Sequence, residues 1–226
     1  GWKWNTAVAY SLFKNDGDDY YANYYYGKAP VSSDRKTFPK YAEMRQKNQQ
    51  FTIQTGLQKR FSEGFLSKLG VSHNEYYFDI NLNMADAVGA TTLNPIYGAD
   101  KHTGLLTAYL SNSWQWNRWM TFNFGVNSEY FRLTKEKTIE PRAALQWNPD
   151  KANSFSLGYG LHSKLEKMDV YFYKDENGHY ANRDLDMSKA HHFLLSWMHR
   201  FKDETNLRVE TYYQDLYDLP VENDIN

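Results

Sequence analysis

Apolar and polar side chains alternate along much of this chain with a period of two residues. The clearest segment spans about residues 103–116, and after Asn117 and Arg118 the same pattern returns over about residues 119–132. In an extended strand this spacing puts the apolar side chains on one face and the polar ones on the other. Two such segments joined by so few residues predict an antiparallel β-hairpin with a tight turn.

The same alternation recurs in further segments, and together they predict about nine strands. Their apolar-face positions begin with Trp2, Trp4, Thr6, Val8, Tyr10 and Leu12, followed by Phe51, Ile53, Thr55 and Leu57, then Ile139, Ala143, Leu145 and Trp147, then Phe155, Leu157, Tyr159 and Leu161, then Phe193, Leu195, Trp197 and Phe201, and finally Leu207, Val209, Thr211 and Tyr213. A less regular strand runs from about Phe65 to Tyr77. Each is close to the roughly 9–11 residues that cross a bilayer at a tilt. The predicted fold class is therefore all-β, an antiparallel transmembrane β-barrel segment.

Short and long connections alternate between these strands. The short ones are predicted at residues 62–64, 117–118, 148–153 and 202–205, and the long ones at about 14–48, 81–102 and 166–188, with a modest connection at residues 135–137. A membrane barrel has short periplasmic turns and longer external loops. A soluble sandwich has no reason to keep this order, so the alternation favours a membrane barrel.

Tryptophans lie close to the predicted short turns, as an aromatic girdle at the membrane interface requires. Those beside a short turn are Trp114, Trp116, Trp119 and Trp147. The general preference of aromatic residues for strands is the alternative explanation. Pro141, which lacks a backbone donor, predicts either a bulge or the true start of its strand.

The faces opposite the apolar rows carry charged and amide side chains, which suit an aqueous lumen. They are Gln54, Gln58 and Arg60, then Glu140, Arg142 and Gln146, then Arg208, Glu210 and Gln214. Alternation alone leaves open a lipocalin-like soluble barrel with its apolar rows inside. An Arg or Lys facing the bilayer midplane costs about 2–4 kcal/mol, and this cost favours an apolar face toward lipid.

Composition is consistent with this interpretation. Aromatic residues make up 17% of the chain, yet the mean hydropathy is −0.78. So many aromatics exclude disorder, and the absence of a run of about 18 apolar residues excludes a helical membrane span. A β-barrel reconciles these facts because only alternate residues face lipid. The net charge of −1 does not favour a nucleic-acid partner, and the lack of cysteine excludes a disulfide frame or a thiolate metal site.

Candidate chemical sites are weak in this sequence. Residues 16–19, Asp-Gly-Asp-Asp, resemble a calcium loop but lack its spaced ligands and distal glutamate, so a solvated acidic loop is predicted. The adjacent His191 and His192 are expected on opposite faces of a strand, where they cannot hold one ion together. Ser163, His162 and Asp169 have neither a nucleophile elbow nor triad spacing. No catalytic residue, metal site or cofactor is therefore predicted.

A cluster of tyrosines in the first long loop is the candidate ligand-binding site. Rigid amphipathic rings stack well on sugar or chelate ligands, although a self-packed external loop is the simpler alternative. The residues are Tyr20, Tyr21, Tyr24, Tyr25 and Tyr26.

From about Thr138 onward the sequence resembles a known family of outer-membrane receptors. The resemblance is carried by the stretches 138–142 (TIEPR), 147–149 (WNP), 155–163 (FSLGYGLHS), 171–173 (YFY), 185–193 (LDMSKAHHF) and 210–221 (ETYYQDLYDLPV). These stretches resemble the barrels of the TonB-dependent receptors of Bacteroidetes that carry a carboxypeptidase-regulatory-like domain. The first 130 residues agree with that family only in their barrel pattern.

The resemblance implies a location in the bacterial outer membrane, contact with outer-membrane lipid, and energised uptake of a scarce or bulky nutrient. It also implies a plug domain that engages the TonB complex, a barrel of about 22 strands, and a surface lipoprotein partner. Residues 1–226 hold no recognisable plug and end without the terminal aromatic residue usual in such barrels. We therefore expect the chain to be part of a single barrel domain whose plug and remaining strands lie outside it.

Two other functions are compatible with the sequence. One is a small self-contained outer-membrane barrel with a structural or adhesive role. The other is an outer-membrane enzyme with His162 or Asp169 at the barrel rim, for which the sequence supplies no motif.

Overall fold

The computed structural model describes residues 1–20, 39–87, 90–175, 177–202 and 205–220, and these residues form one sheet of nine strands. The strands are β1 Trp2–Tyr20, β2 Lys40–Ser62, β3 Phe65–Met84, β4 Asn94–Gln115, β5 Met120–Phe131, β6 Lys137–Trp147, β7 Asn153–Lys164, β8 Ser188–Arg200 and β9 Asn206–Tyr217. Each pairs antiparallel with the next in chain order, which confirms the predicted fold class. Within the described residues β1 and β9 do not pair with each other, so the sheet is open, as expected for part of a larger barrel. No helix among these residues has the length and apolar character needed to cross a membrane.

The strand register keeps the predicted apolar positions on one face across the sheet. Leu57 lies opposite Leu69, Leu69 opposite Leu110, and Leu110 opposite Val126. Directly opposed residues share a face, so each such row runs across several strands. This face is exposed, with Leu157 retaining 58% of its accessible surface. We call it the apolar face, and its reverse, which carries Gln54, Glu140 and their row neighbours, the polar face.

The first four strands are longer than the sequence predicts. β1 to β4 contain 19, 23, 20 and 22 residues, whereas β5 to β9 contain 11–13. The predicted loops at 14–48 and 81–102 were therefore too wide, and the connections are residues 21–39 and 85–93. The reason is that the outer parts of these strands are polar on the apolar-face side as well, where Lys14 lies opposite Lys47. The hydrophobic signal fades there, but the backbone ladder continues.

Tight turns close the other end of the sheet, as predicted. Glu63 and Gly64 alone connect β2 to β3. In the β4–β5 turn the Asn117 side chain accepts hydrogen bonds from the backbone N–H groups of Trp119 (2.8 Å) and Met120 (2.9 Å). The connections at the opposite end are residues 21–39, 85–93, 132–136 and 165–187. Three of these four are long, as predicted, whereas residues 132–136 form a connection as short as residues 148–152 and 201–205.

At Pro141 the pairing of β6 with β7 ends, while its pairing with β5 continues. The register of β6 with β5 runs through Pro141, opposite Val126, without a shift, and β6 begins at Lys137. The predicted bulge or strand start at Pro141 is therefore wrong. The ladder between β6 and β7 instead ends at Arg142 opposite Gly160. Proline has no N–H to donate, so pairing with β7 does not continue past it.

Candidate functional site

The gap beside Pro141 is filled by a buried carboxylate, Glu140, on the polar face. Glu140 retains 1% of its accessible surface. It accepts hydrogen bonds from Asn127 Nδ2 (3.1 Å), Thr138 Oγ1 (3.3 Å) and the backbone N–H of Ser163 (3.2 Å). The Arg142 guanidinium adds a charged bond of 2.7 Å. A buried charge is tolerated when it is paired and hydrogen-bonded. The bond from the Ser163 N–H to Glu140 therefore links β7 to β6 where Pro141 has no N–H to donate.

A broad cavity of about 620 Å³ lies on the polar face beside this network, across β4 to β9. Small residues of β5 to β7 form part of its lining, together with Arg142, His162 and His192. The two histidine rings lie 4.6 Å apart, centroid to centroid. A wall with a cation, imidazoles and amides can hydrogen-bond to a protein surface or a solute placed against it.

Tyr109 lies across two glycines at the β4 side of this cavity. A Cβ at Gly70 would collide with the Tyr109 ring, and one at Gly56 would come within 3.5 Å of the Tyr109 hydroxyl oxygen. Glycines in a strand interior often mark the close approach of another group, and here that group is the tyrosine ring. The ring is thereby held flat against the wall.

Residues 165–187, which connect β7 to β8, fold over the outer part of the polar face, and we call this segment the cap. It contains a short 3-10 helix at Val170–Phe172. Tyr171, Phe172 and Met187 have no exposed surface. They pack with four residues of the strands, namely Phe78, Ile80, Ala99 and Phe131. Burial of this kind stabilises the cap by about 1.5–3 kcal/mol for each large apolar side chain. The same burial raises the pKa of the Tyr171 phenol.

Hydrogen bonds fix the cap to β4 on one side and to the β5–β6 connection on the other. The Tyr180 hydroxyl donates to the carbonyl oxygen of Gly98 at 2.7 Å. Tyr97 and Tyr173 form an isolated antiparallel bridge. At the cap's C-terminal end, the Met187 N–H donates to the Glu136 carboxylate at 2.6 Å. The cap is thus a packed element that reaches from β8 to β4, which the sequence did not predict.

One feature of the sequence indicates the cap, but a search for apolar residues at every second position does not detect it. In the lower part of β3 the odd positions, such as Leu69 and Val71, are apolar and face outward. Higher in the same strand the even positions Phe78 and Ile80 are apolar, and they lie on the polar face under the cap. A change of parity within one strand indicates that the buried face has switched sides.

Of the predicted tyrosine cluster, the structure describes Tyr20 alone. Tyr20 is the last residue of β1 and lies opposite Lys40 of β2. Tyr21, Tyr24, Tyr25 and Tyr26 lie outside the described residues.

The acidic residues 16–19 are not a loop, as predicted, but the outer end of β1. The Asp18 carboxylate pairs with Lys40 Nζ at 3.2 Å and with Arg45 at 2.9 Å. These two cations hold the pKa of Asp18 below its usual value, with the Arg45 hydrogen bond as the largest cause. In the described part of the chain no three His, Asp or Glu side chains group as metal ligands do.

The histidines separate as predicted, and the triad residues do not meet in a catalytic arrangement. His191 stacks between Tyr159 and Tyr217, whereas His192 faces His162 on the other side of the sheet. The Asp169 carboxylate accepts a hydrogen bond from the Val170 N–H at 3.2 Å and caps the 3-10 helix.

A sheet with one exposed apolar face, an opposite polar face and aromatic residues at its tight turns defines an outer-membrane β-barrel protein. Stacked rings such as Trp114 and Trp116, whose centroids lie 6.1 Å apart, belong to the aromatic girdle at this end. A family model described as "TonB dependent receptor-like, beta-barrel" matches residues 1–226. The chain belongs to this family, and its predicted location in the bacterial outer membrane is confirmed.

Solved structures of low sequence identity share the fold. The siderophore receptor PiuA from Acinetobacter baumannii is 13% identical with a TM-score of 0.63, over 93% of this chain and 37% of that chain. The copper transporter OprC is 12% identical with a TM-score of 0.64, over 96% and 36% of the two chains. The RagAB peptide importer is 10% identical with a TM-score of 0.54, over 95% and 28%. The chain thus spans about a third of the length of these structures, and none of the curated proteins matches it significantly.

Proposed function

We propose that residues 1–226 form part of the barrel wall of a TonB-dependent receptor that takes up a scarce or bulky nutrient across the outer membrane. The observation that carries the proposal is the family match over the whole chain. Its physical counterpart is the two-faced sheet, whose apolar face suits lipid while the polar face suits an aqueous lumen.

The wall contributes binding and positioning and performs no covalent chemistry. A plug domain outside residues 1–226 occupies the lumen and engages the TonB complex. The polar face, with Arg142, His162 and His192 around its cavity, then faces the plug and the passing nutrient. The cap narrows the outer mouth on the β3–β4 side, so the nutrient passes beside it.

Two finer assignments belong to the same proposal. The resemblance of residues 138–221 supports a receptor of the Bacteroidetes type with a carboxypeptidase-regulatory-like domain, and the RagAB importer is a fold neighbour. A surface lipoprotein partner fits this type. Tyr20, Tyr21, Tyr24, Tyr25 and Tyr26 are proposed to contact the nutrient from the β1–β2 connection.

The alternatives find less support. A self-contained barrel needs its first and last strands to pair, and β1 and β9 do not do so within the described residues. An enzyme needs a catalytic arrangement, and Asp169 serves instead as a helix cap while His162 faces His192.

Deletion of the parent gene in the source organism tests the proposal. We expect at least one nutrient to remain in the growth medium both in the deletion strain and in a strain lacking TonB, and plasmid-borne receptor to restore its uptake in the deletion strain. If the deletion strain depletes every nutrient at the wild-type rate, the proposal is wrong. The parent gene should also encode a plug domain, and its absence would overturn the uptake mechanism.

A further inference from the structure

Three side chains with hydrogen-bond donors lie next to one another in the broad cavity on the polar face. Gly160 of β7 lies directly opposite Arg142 of β6 on one side and opposite His192 of β8 on the other. A Cβ at Gly160 would lie 2.8 Å from His162 Nε2 and 3.5 Å from Arg142 Cγ, so the His162 imidazole extends back over this glycine. Its ring therefore lies between Arg142 and His192. All three side chains line the cavity, and we call them the Arg-His cluster.

Arg142 keeps N–H donors available to a ligand. Glu140 accepts one bond from its guanidinium, from Nη2 at 2.7 Å, and within the described residues Nη1 and Nε make no hydrogen bond. The Glu140 carboxylate also accepts from three neutral donors, on Asn127, Thr138 and Ser163. The Arg142 side chain retains 46% of its accessible surface, against 2% for that of Glu140. The ion pair therefore buries its negative partner and presents its positive partner to the cavity.

The rest of the cavity favours an anion over a cation. No aspartate or glutamate is among the described residues that line it. The amides of Asn123 and Gln214 belong to the same face, and Gln214 lies directly opposite His192. A metal ion would be repelled by the Arg142 guanidinium, and no third ligand joins the two histidines in the described part of the chain. The cluster instead offers N–H groups and one positive charge, which suit a negatively charged oxygen.

The chemistry of Arg142 and the size of the cavity indicate which anion fits. A guanidinium presents its N–H groups in a planar fork that matches the two oxygens of a carboxylate. Each neutral imidazole beside it supplies one further N–H. The cavity volume of about 620 Å³ falls within the range of roughly 300–1,000 Å³ that is usual for small-molecule sites. The carboxylate can therefore belong to a nutrient of that size.

We propose that Arg142, together with the imidazoles of His162 and His192, binds a carboxylate group of the imported nutrient as it passes along the lumen. This inference rests on the proposed uptake function and narrows its substrate class to nutrients that carry a carboxylate.

The test measures the binding of a minimal carboxylate to the full-length receptor. Succinate is titrated into the receptor in an uncharged detergent and followed by saturation-transfer NMR, at constant ionic strength so that screening does not vary. Succinamide, its neutral diamide of nearly the same size, is titrated in parallel. The wild-type receptor should bind succinate at least about tenfold more tightly than succinamide, since only the carboxylate makes charge-assisted hydrogen bonds.

Substitutions in the cluster should weaken this binding. Arg142→Gln removes the cation and should weaken succinate binding at least about tenfold. His192→Leu removes one neutral donor and should weaken it about threefold to tenfold. The control is His191→Leu, at the adjacent residue on the opposite face, which should bind succinate like the wild type.

A pair of glycine substitutions tests the position of His162 without removing a donor. Gly160→Ala places a methyl group where the His162 ring now lies, so the ring must move and succinate binding should weaken by about threefold. Gly158→Ala adds the same methyl group on the same strand and face, where its nearest neighbour, Leu194 Cβ, would be 3.7 Å away. This variant should bind succinate like the wild type. Heat-modifiable gel mobility confirms that each variant is folded.

No binding of succinate, equal binding of succinate and succinamide, or unchanged binding in both Arg142→Gln and His192→Leu would overturn the inference. Its failure can be told apart from that of the uptake proposal. If the deletion strain loses uptake of a nutrient without a carboxylate, or if Arg142→Gln restores uptake as well as the wild type does, the receptor function stands and the carboxylate site is wrong. A deletion strain that depletes every nutrient overturns the uptake proposal, whatever the receptor binds.

Discussion

The first four strands and the last five differ in length and in what their outer ends do. β1 to β4 contain 19–23 residues, and β5 to β9 contain 11–13. At about 3.3 Å per residue and a tilt near 40°, the shorter strands match a bilayer, and the longer ones project beyond it. The long strands therefore supply a wall outside the membrane, and the short-strand half supplies the cap that packs on it. The difference shows that bilayer thickness sets only a minimum strand length.

We expect the largest effect from a substitution that removes the packing of the cap on the long strands. Phe172 is fully buried and its ring centroid lies 4.6 Å from that of Phe78 on β3. Phe172→Ala should cost about 3–5 kcal/mol of cap docking, since a buried aromatic side chain is replaced by a cavity. We expect faster proteolysis and faster hydrogen exchange in residues 165–187.

Tyr173→Ala is the neighbouring control, because Tyr173 is 39% exposed. It should leave the exchange rates of the cap much closer to those of the wild type. Equal acceleration by both substitutions would show that the cap is not held by its apolar core.

The second-largest effect is expected in the membrane-spanning part of the sheet. There the long and the short strands share the same apolar and polar faces. Leu110 lies on the exposed apolar face of β4, and Ser111 lies next to it on the polar face. Leu110→Arg should destabilise the inserted barrel by about 2–4 kcal/mol, whereas Ser111→Arg should change its stability little. Equilibrium unfolding from lipid vesicles measures both. A larger loss for Ser111→Arg would reverse the assignment of the faces.

A smaller effect is expected from the hydrogen bonds of Glu140, which link β6 to β7 where the backbone ladder between these strands has ended. Glu140→Gln keeps the shape of the side chain but weakens its bond to Arg142, so we expect a loss of about 1–3 kcal/mol. Glu210, which also pairs with an arginine two residues away, at 2.6 Å, is exposed. Glu210→Gln should therefore lower the melting temperature less. A similar shift for both variants would mean that burial of Glu140 contributes nothing.

The smallest effect is a pH response at the outer end of β1 and β2. The pKa of Asp18 is lowered in the folded protein by Arg45 and Lys40, so its ion pairs stabilise the hairpin above its ordinary pKa of 3.8. That contribution is lost as pH falls through the lower, folded value. Hydrogen exchange of residues 14–20 and 40–46, corrected for intrinsic rates, should reveal faster opening at acidic pH. Asp18→Asn should remove this pH response, and Asp19→Asn, at a residue without an ion pair in the described chain, should retain it.

Much of the fold follows from the sequence because one physical rule repeats. An apolar side chain at every second residue predicts the shared face of Leu57, Leu69, Leu110 and Val126, and the tight turns predict antiparallel order. This alternation does not predict the outer halves of β1 to β4. On β1, for example, the apolar-face positions there are the charged residues Lys14 and Asp16. Their pairing depends on backbone hydrogen bonds, which leave no mark on side-chain pattern.

The candidate site is less predictable because it depends on distant contacts. Arg142 and His192 line one cavity although they lie far apart in the sequence, and only the pairing of β6, β7 and β8 brings them together. The partner of Glu140 across the strand gap is a backbone N–H, that of Ser163, which no residue pattern specifies.

Contact of the apolar face with lipid, and its absence at the polar face, can be measured directly. Phe124 and Asn123 are adjacent on β5 and lie on opposite faces, and both are exposed. A bimane fluorophore is attached to a single cysteine at either position in the full-length receptor, otherwise free of cysteine, and the receptor is reconstituted with brominated phospholipids. If lipid covers the apolar face, we expect strong quenching at position 124 and little at position 123. Equal quenching at the two positions, or stronger quenching at position 123, would contradict it.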